Sequence, residues 1–127
     1  MPQFPKKTVS PGLSHLRVTL TDSFYLGPGR ADLMELIAET GSISAAGKRM
    51  GMSYKRAWSL VQALNEGFGR SLVETSRGGA AQGGAALTPL GAEVLQRYRQ
   101  MQAATRQAIA EDVTALTALM TDMSQKK

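Results

Sequence analysis

A mainly α-helical fold with a small β-hairpin is what this sequence predicts, and three observations predict it. Apolar residues recur at helical spacing in four separate stretches. A glycine-rich segment near residue 80 is flanked by two short strand-like stretches, and the last third of the chain carries a long helical stripe.

The elements follow in order. Met1 to Gly12 is rich in proline and lysine (Pro2, Pro5, Pro11, Lys6, Lys7) and reads as a flexible arm. Leu16 to Thr21 alternates apolar and polar residues, the period-two pattern of a half-buried strand. Gly27, Pro28 and Gly29 break the chain, and Leu33, Leu36 and Ile37 then place a helix over about 30–39, stopped at Gly41. Ser42 or Ser44 caps a short helix over about 45–50 with Ala46 and Met50 facing the core. Gly51 closes it, and Ser53 caps a third helix to about Glu66, with Ala57, Val61 and Leu64 inward at i, i+4 and i+7 and Leu60 and Phe68 extending that side. Two helices joined by a short glycine-containing turn form a helix-turn-helix, whose second helix is the one that enters a DNA major groove. Leu72 to Ser76 and Ala85 to Thr88 then pair as a hairpin around Arg77–Gly84, which makes the fold a winged helix-turn-helix.

Thr88 as cap and Pro89 at the first helical position open the last helix. Its stripe runs through Val94, Tyr98, Met101, Thr105 and Ala108, with Thr105 its one polar member, slips by one residue, and continues through Ile109, Val113, Leu116, Met120 and Met123. Unbroken, the helix is about 50 Å long. A chain of 127 residues is expected not to cover that stripe alone, so it predicts a partner helix, most simply a second copy, and hence a long C-terminal dimerisation helix. A break near residues 110–112 with the chain folding back is the other arrangement.

Charge narrows the function. Fifteen Lys and Arg against ten Asp and Glu give +5, and six basic residues (Lys48, Arg49, Lys55, Arg56, Arg70, Arg77) face only Glu66 and Glu74 between positions 48 and 77. A polyanion is the partner such a segment attracts. With no cysteine and one histidine, His15, neither a thiolate site nor a histidine cluster can form. The glycines of the wing lack the following Gly-Lys-Ser/Thr of a phosphate-binding loop. Glu35 with Glu39, and Glu111 with Asp112, read as solvent-facing pairs without a nucleophile, so no enzyme is expected. Arg97, Arg99 and Arg106 read as solubilising residues of the last helix. No apolar run reaches the length of a membrane span, and a cytoplasmic protein without membrane contact, metal or cofactor is expected.

The third helix supplies the candidate reading face: Tyr54, Lys55, Trp58, Ser59 and Gln62 lie opposite its apolar side. Lys can reach guanine, Gln can pair with adenine, and an aromatic ring can contact a thymine methyl. Arg56 sits beside them for a base or a phosphate, whereas Trp58 reads also as a wedge against the first helix. Ser42, Ser44 and Ser53 at helix starts can grip phosphate oxygens or serve only as caps, and Lys48 suits a phosphate or a solvated face. Arg77 on the wing completes the candidate DNA-binding set.

The segments Gly41–Gly47, Gly51–Trp58, Leu72–Glu74 and Leu87–Gly91, taken in order, resemble the LysR-like winged helix-turn-helix, and within it the N-terminal domain of the ModE-type molybdate-dependent transcriptional regulators. The resemblance covers about residues 16–108. It implies a sequence-specific, double-stranded-DNA-binding regulator of transcription, acting as a homodimer on a palindromic operator. The helix Ser53–Gln62 would read bases, the wing would touch backbone or minor groove, and the first strand and last helix would build the dimer. Regulators of that type continue into molybdate-binding domains, which this sequence does not contain. The expectation is a stand-alone relative that does not itself bind molybdate, the alternative being a fragment of a longer regulator. The expected layout is an arm over 1–12, the DNA-binding domain over 13–88 and the dimerisation helix over 89–127. Other functions open to such a fold are a protein–protein adaptor and a nonspecific architectural DNA-binding protein.

Overall fold

The computed structural model describes residues 11–76 and 84–125. They form β1 (Val18–Thr21), β2 (Phe24–Leu26), α1 (Pro28–Thr40), α2 (Ile43–Arg49), α3 (Tyr54–Phe68), β3 (Val73–Ser76), β4 (Gly84–Leu87) and α4 (Pro89–Gln125). The fold is mainly α, as the sequence predicts, with two antiparallel hairpins, β1–β2 and β3–β4, instead of one. The tip Arg77–Gly83 lies outside the described residues. None of the helices is long and apolar enough to cross a membrane, among the described residues.

The unexpected strand is β2. It pairs Val18 with Leu26, Thr19 with Tyr25 and Thr21 with Phe24, with an irregularity between Thr19 and Thr21. Phe24 and Leu26 are buried on either side of a half-buried Tyr25, but three residues are too few for the alternation to stand out in sequence. Leu20, which the alternation places inside, lies at this irregularity, between the paired Thr19 and Thr21, and is 53% exposed, because a bulge locally disrupts the ladder and re-aims the side chain.

Helix α1 begins at Pro28, two residues before the expected start, because proline at the first helical position gives up an N–H that has no helical partner anyway. Gly41 ends it in the left-handed conformation, its N–H donating to the Ile37 carbonyl at 2.8 Å. Of the two serines that could cap α2, Ser42 does so: its Oγ accepts from the Ala45 N–H at 3.0 Å, and Ile43, rather than Ala45, becomes the first helical residue.

Residues 15–100 form one compact unit. One part of its interior joins Leu33 and Ile37 of α1, Ile43 and Ala46 of α2, Ala57 and Val61 of α3, Val73 and Ala85. The other joins Phe24, Leu26, Ala31, Met34, Leu64, Leu72 and Tyr98. Tyr98 corrects the reading of the long stripe. It is fully buried within this unit, with its hydroxyl donating to the Leu16 carbonyl at 2.6 Å, so here the stripe is covered by the chain's own β1–β2 hairpin and α1.

Arg99 is a second correction. Its Nη2 lies 2.7 Å from Glu35 Oε1 and 2.8 Å from Asp32 Oδ1, tying α4 to α1, so neither Arg99 nor Glu35 merely faces solvent. Partial burial alone would lower the Arg99 pKa, but its hydrogen bonds and charge pairing with Asp32 and Glu35 outweigh it and hold the pKa above the usual value.

The β3–β4 hairpin is anchored at its open end, where the residues before β3 meet those after β4. Thr88 donates its N–H to the Leu72 carbonyl at 3.0 Å and its hydroxyl to the Ser71 carbonyl at 2.8 Å, while that hydroxyl accepts from the Gly91 N–H at 2.9 Å and so caps α4. Gly91 sits directly against the Leu72 backbone.

The second unit comprises residues 101–125 with 11–14. The helix passes through residues 110–112 without a break, which removes the fold-back arrangement. Ile109 and Val113 are half-buried, while Leu116, Leu119 and Met120 are exposed.

Candidate nucleic-acid interface

Helices α2 and α3 cross closely because Gly47 faces Ala57. A Cβ on Gly47 would lie 2.8 Å from the Ala57 Cβ, closer than real Cβ atoms come. The turn between the helices is held by the Met50 N–H donating to the Ala46 carbonyl and the Met52 N–H to the Gly47 carbonyl, at 3.2 and 2.9 Å. This is the short connection that aims the N-terminal turns of α3 outward.

Ser53 opens α3. Its Oγ accepts from the Arg56 N–H at 3.1 Å, which uses the hydroxyl as a cap and leaves its own proton free to donate. Behind it Ala57, Val61 and Leu64 are buried, as the spacing predicts, and Leu60 packs partly against the same interior. In front, Ser53, Tyr54, Lys55, Arg56 and Ser59 are exposed. Ser53, Lys55, Arg56 and Ser59 line one shallow groove with Leu60 and Ala63. Gln62, two turns along, is half-buried.

Tyr54 and Trp58, two separate members of the expected reading face, form a pair. Their ring centroids are 6.4 Å apart with planes 19° from parallel. Trp58 is half-buried against the cluster containing Leu33 and Ile37, which accords with a wedge, while Tyr54 remains 55% exposed. The i, i+4 spacing is the signal that could have suggested the pair.

On α2, Ser42 is half-buried in its capping role, and Ser44 and Lys48 are exposed. Arg49 lies 3.5 Å from Glu39, whereas Lys48, Lys55 and Arg56 make no ion pair among the described residues. Three cations and several hydroxyls therefore stand on α2 and on the start of α3 without a carboxylate to neutralise them. Arg77, the wing member of the expected set, lies outside the described residues.

Asn65 was absent from the expected set and matters for how the site is held. Its carboxamide accepts from the Leu72 and Val73 N–H groups at 2.8 and 3.1 Å and donates to the Val73 carbonyl at 2.9 Å, which fixes the β3–β4 hairpin to the last turns of α3.

Residues 31–92 match the family described as bacterial regulatory helix-turn-helix protein, lysR family. The chain is 44% identical over 78 residues to the molybdenum-pterin-binding protein MopB of Rhodobacter capsulatus, which covers 61% of this chain and 29% of that protein. It is 39% identical over 83 residues to the DNA-binding transcriptional dual regulator ModE of Escherichia coli (strain K12), covering 65% and 32%. With the transcriptional regulator ModE of Yersinia pestis it shares 33% identity over 113 residues, 87% of this chain and 43% of that one. The chain thus spans less than half the length of these relatives.

Proposed function

We propose that this chain, whose residues 31–92 are a helix-turn-helix of the bacterial regulatory lysR family, is a DNA-binding transcriptional regulator that lays α3 in the major groove and binds a palindromic operator as a homodimer. The observation that carries the reading is the division of α3 into two faces. Ala57, Val61 and Leu64 are buried, while Tyr54, Lys55, Arg56 and Ser59 are exposed, and the two cations are unpaired among the described residues. Such a face presents hydrogen-bond donors and an aromatic ring to base edges, while its charge holds the phosphate backbone.

Lys55, Ser59 and Gln62 contact bases in this reading, and Arg56 reaches a base or a neighbouring phosphate. Ser42, Ser44, Lys48 and Ser53 hold phosphates at the two helix starts, and Arg77 does so from the wing. Residues 13–88 make up the DNA-binding domain and 89–127 the dimerisation helix, and the protein works in the cytoplasm. The exposed Leu116, Leu119 and Met120 support self-association, because a second copy of α4 would remove them from water. No direct molybdate binding is assigned to this chain.

The test is selection of genomic fragments by the full chain over a salt titration. A regulator enriches a defined set whose half-sites lie about one helical turn apart, bound about a thousandfold or more tighter than bulk DNA. An adaptor would enrich nothing, and an architectural protein would bind without enrichment; either result overturns the reading.

A further inference from the structure

We propose that Tyr54 and Trp58 together read the C5-methyl group of a thymine, Tyr54 as the contacting ring and Trp58 as the positioning residue behind it. The inference rests on the DNA-binding reading above and names what the middle of that face recognises.

The exposed residues at the start of α3 are polar except at one place. Exposed Ser53, Lys55 and Arg56 flank Tyr54 in sequence, Tyr54 itself is 55% exposed, and exposed apolar surface is unfavourable unless something apolar covers it. Base edges in the major groove present hydrogen-bond donors and acceptors almost everywhere, and thymine's methyl is the apolar group among them. Tyr54 is also held. Trp58 lies one turn on with its ring nearly parallel, and is itself half-buried against the cluster containing Leu33 and Ile37. A ring backed in this way meets a methyl group without having to be ordered first, which lowers the entropic cost of the contact.

The experiment takes the most enriched genomic fragment and replaces each thymine singly with deoxyuridine, which keeps every hydrogen-bonding group and removes only the methyl. At one thymine, or a symmetry-related pair, binding should weaken about three- to fivefold, the value of one buried methyl-sized group. The thymine-to-uracil ratio at that position should fall to one in Tyr54→Ala and persist in Tyr54→Phe, which keeps the ring. Trp58→Phe should reduce the ratio while leaving the salt dependence of binding unchanged, a pattern that loss of stability alone does not produce. Uracil tolerated at every position, a ratio that survives Tyr54→Ala, or one that Tyr54→Phe abolishes would each overturn the proposal while leaving sequence-specific binding intact. Failure to enrich any fragment would instead overturn the DNA-binding reading itself, and this inference with it.

Discussion

Asn65 closes a two-bond ring with Val73: its Nδ2 donates to the Val73 carbonyl at 2.9 Å while its Oδ1 accepts from the Val73 N–H at 3.1 Å. The same oxygen takes the Leu72 N–H at 2.8 Å. The strand that starts the wing hairpin is therefore attached to α3 by one side chain.

Replacing Asn65 with leucine, which is close in size, leaves two N–H donors and one carbonyl without their partner. Each orphaned group costs about 1–3 kcal/mol if it stays dry, so a loss of about 2–3 kcal/mol is expected after partial rehydration. Asn65→Asp should also destabilise, because an oxygen then faces the Val73 carbonyl. Urea unfolding monitored by circular dichroism, with an unchanged m-value, is the measurement. A midpoint equal to that of the parent would show that the hairpin does not depend on this carboxamide.

Gly91 sets up a different kind of constraint. A Cβ built there lands on the Leu72 carbonyl oxygen and 2.9 Å from its carbonyl carbon. The backbone of Leu72 cannot withdraw without releasing its bonds to Thr88 and Asn65. Gly91→Ala should therefore destabilise by about 2 kcal/mol or more, although alanine is intrinsically the better helix residue by about 1 kcal/mol. Gly29→Ala in α1, where an added Cβ meets nothing within 4 Å, should stabilise by about 0.5–1 kcal/mol. Thermal unfolding of the two variants should shift in opposite directions.

These two contacts also show where sequence reasoning stops. Helical spacing locates α1 to α4 and marks the buried side of α3 at Ala57, Val61 and Leu64, because local period reports which face is apolar. What it did not reveal was made by partners distant in sequence. Asn65 meets residues seven and eight positions away, Arg99 meets Asp32 and Glu35 more than sixty away, and Tyr98 meets Leu16. Nothing in the local pattern separates Tyr98, buried under its own domain, from Leu116 and Met120 further along the same helix, which remain exposed. Sequence alone does not separate Ser42 from Ser44 as cap, since both serines lie within one turn and either hydroxyl can satisfy a free N–H.

Within the candidate interface, Lys55 and Lys48 should fail differently. Lys55 stands beside Tyr54 at the start of α3, so Lys55→Ala should cost about 1–3 kcal/mol per half-site on the preferred sequence and relax preference at one base pair of each half-site. Lys48, on α2, is assigned a phosphate. Lys48→Ala should weaken binding to all sequences about equally and reduce the slope of log affinity against log salt by about 0.9 per subunit, or about 1.8 for the dimer on its operator. Titrations of specific and scrambled duplexes at several salt concentrations separate the two patterns. Equal scaling in both variants would remove Lys55 from the reading face.

The exposed end of α4 makes the last prediction. Leu116 is 62% exposed and Met120 71%, and these residues lie one helical turn apart. Side chains of this kind contribute about 1.5–3 kcal/mol each when fully buried, and a twofold interface buries each of them twice. Leu116→Glu with Met120→Glu would place up to four carboxylates in that interface, where like charges repel. The double variant should sediment as a monomer at micromolar concentrations at which the parent is a dimer. Both residues belong to the unit 101–125, so the hydrophobic interior of residues 15–100 should unfold at an unchanged temperature once dimer stabilisation is removed by dilution. Binding to a single half-site should survive, while the tighter binding to the paired operator, which depends on two linked contacts, should be lost. A double variant that remains dimeric would move the subunit contact away from this end of α4.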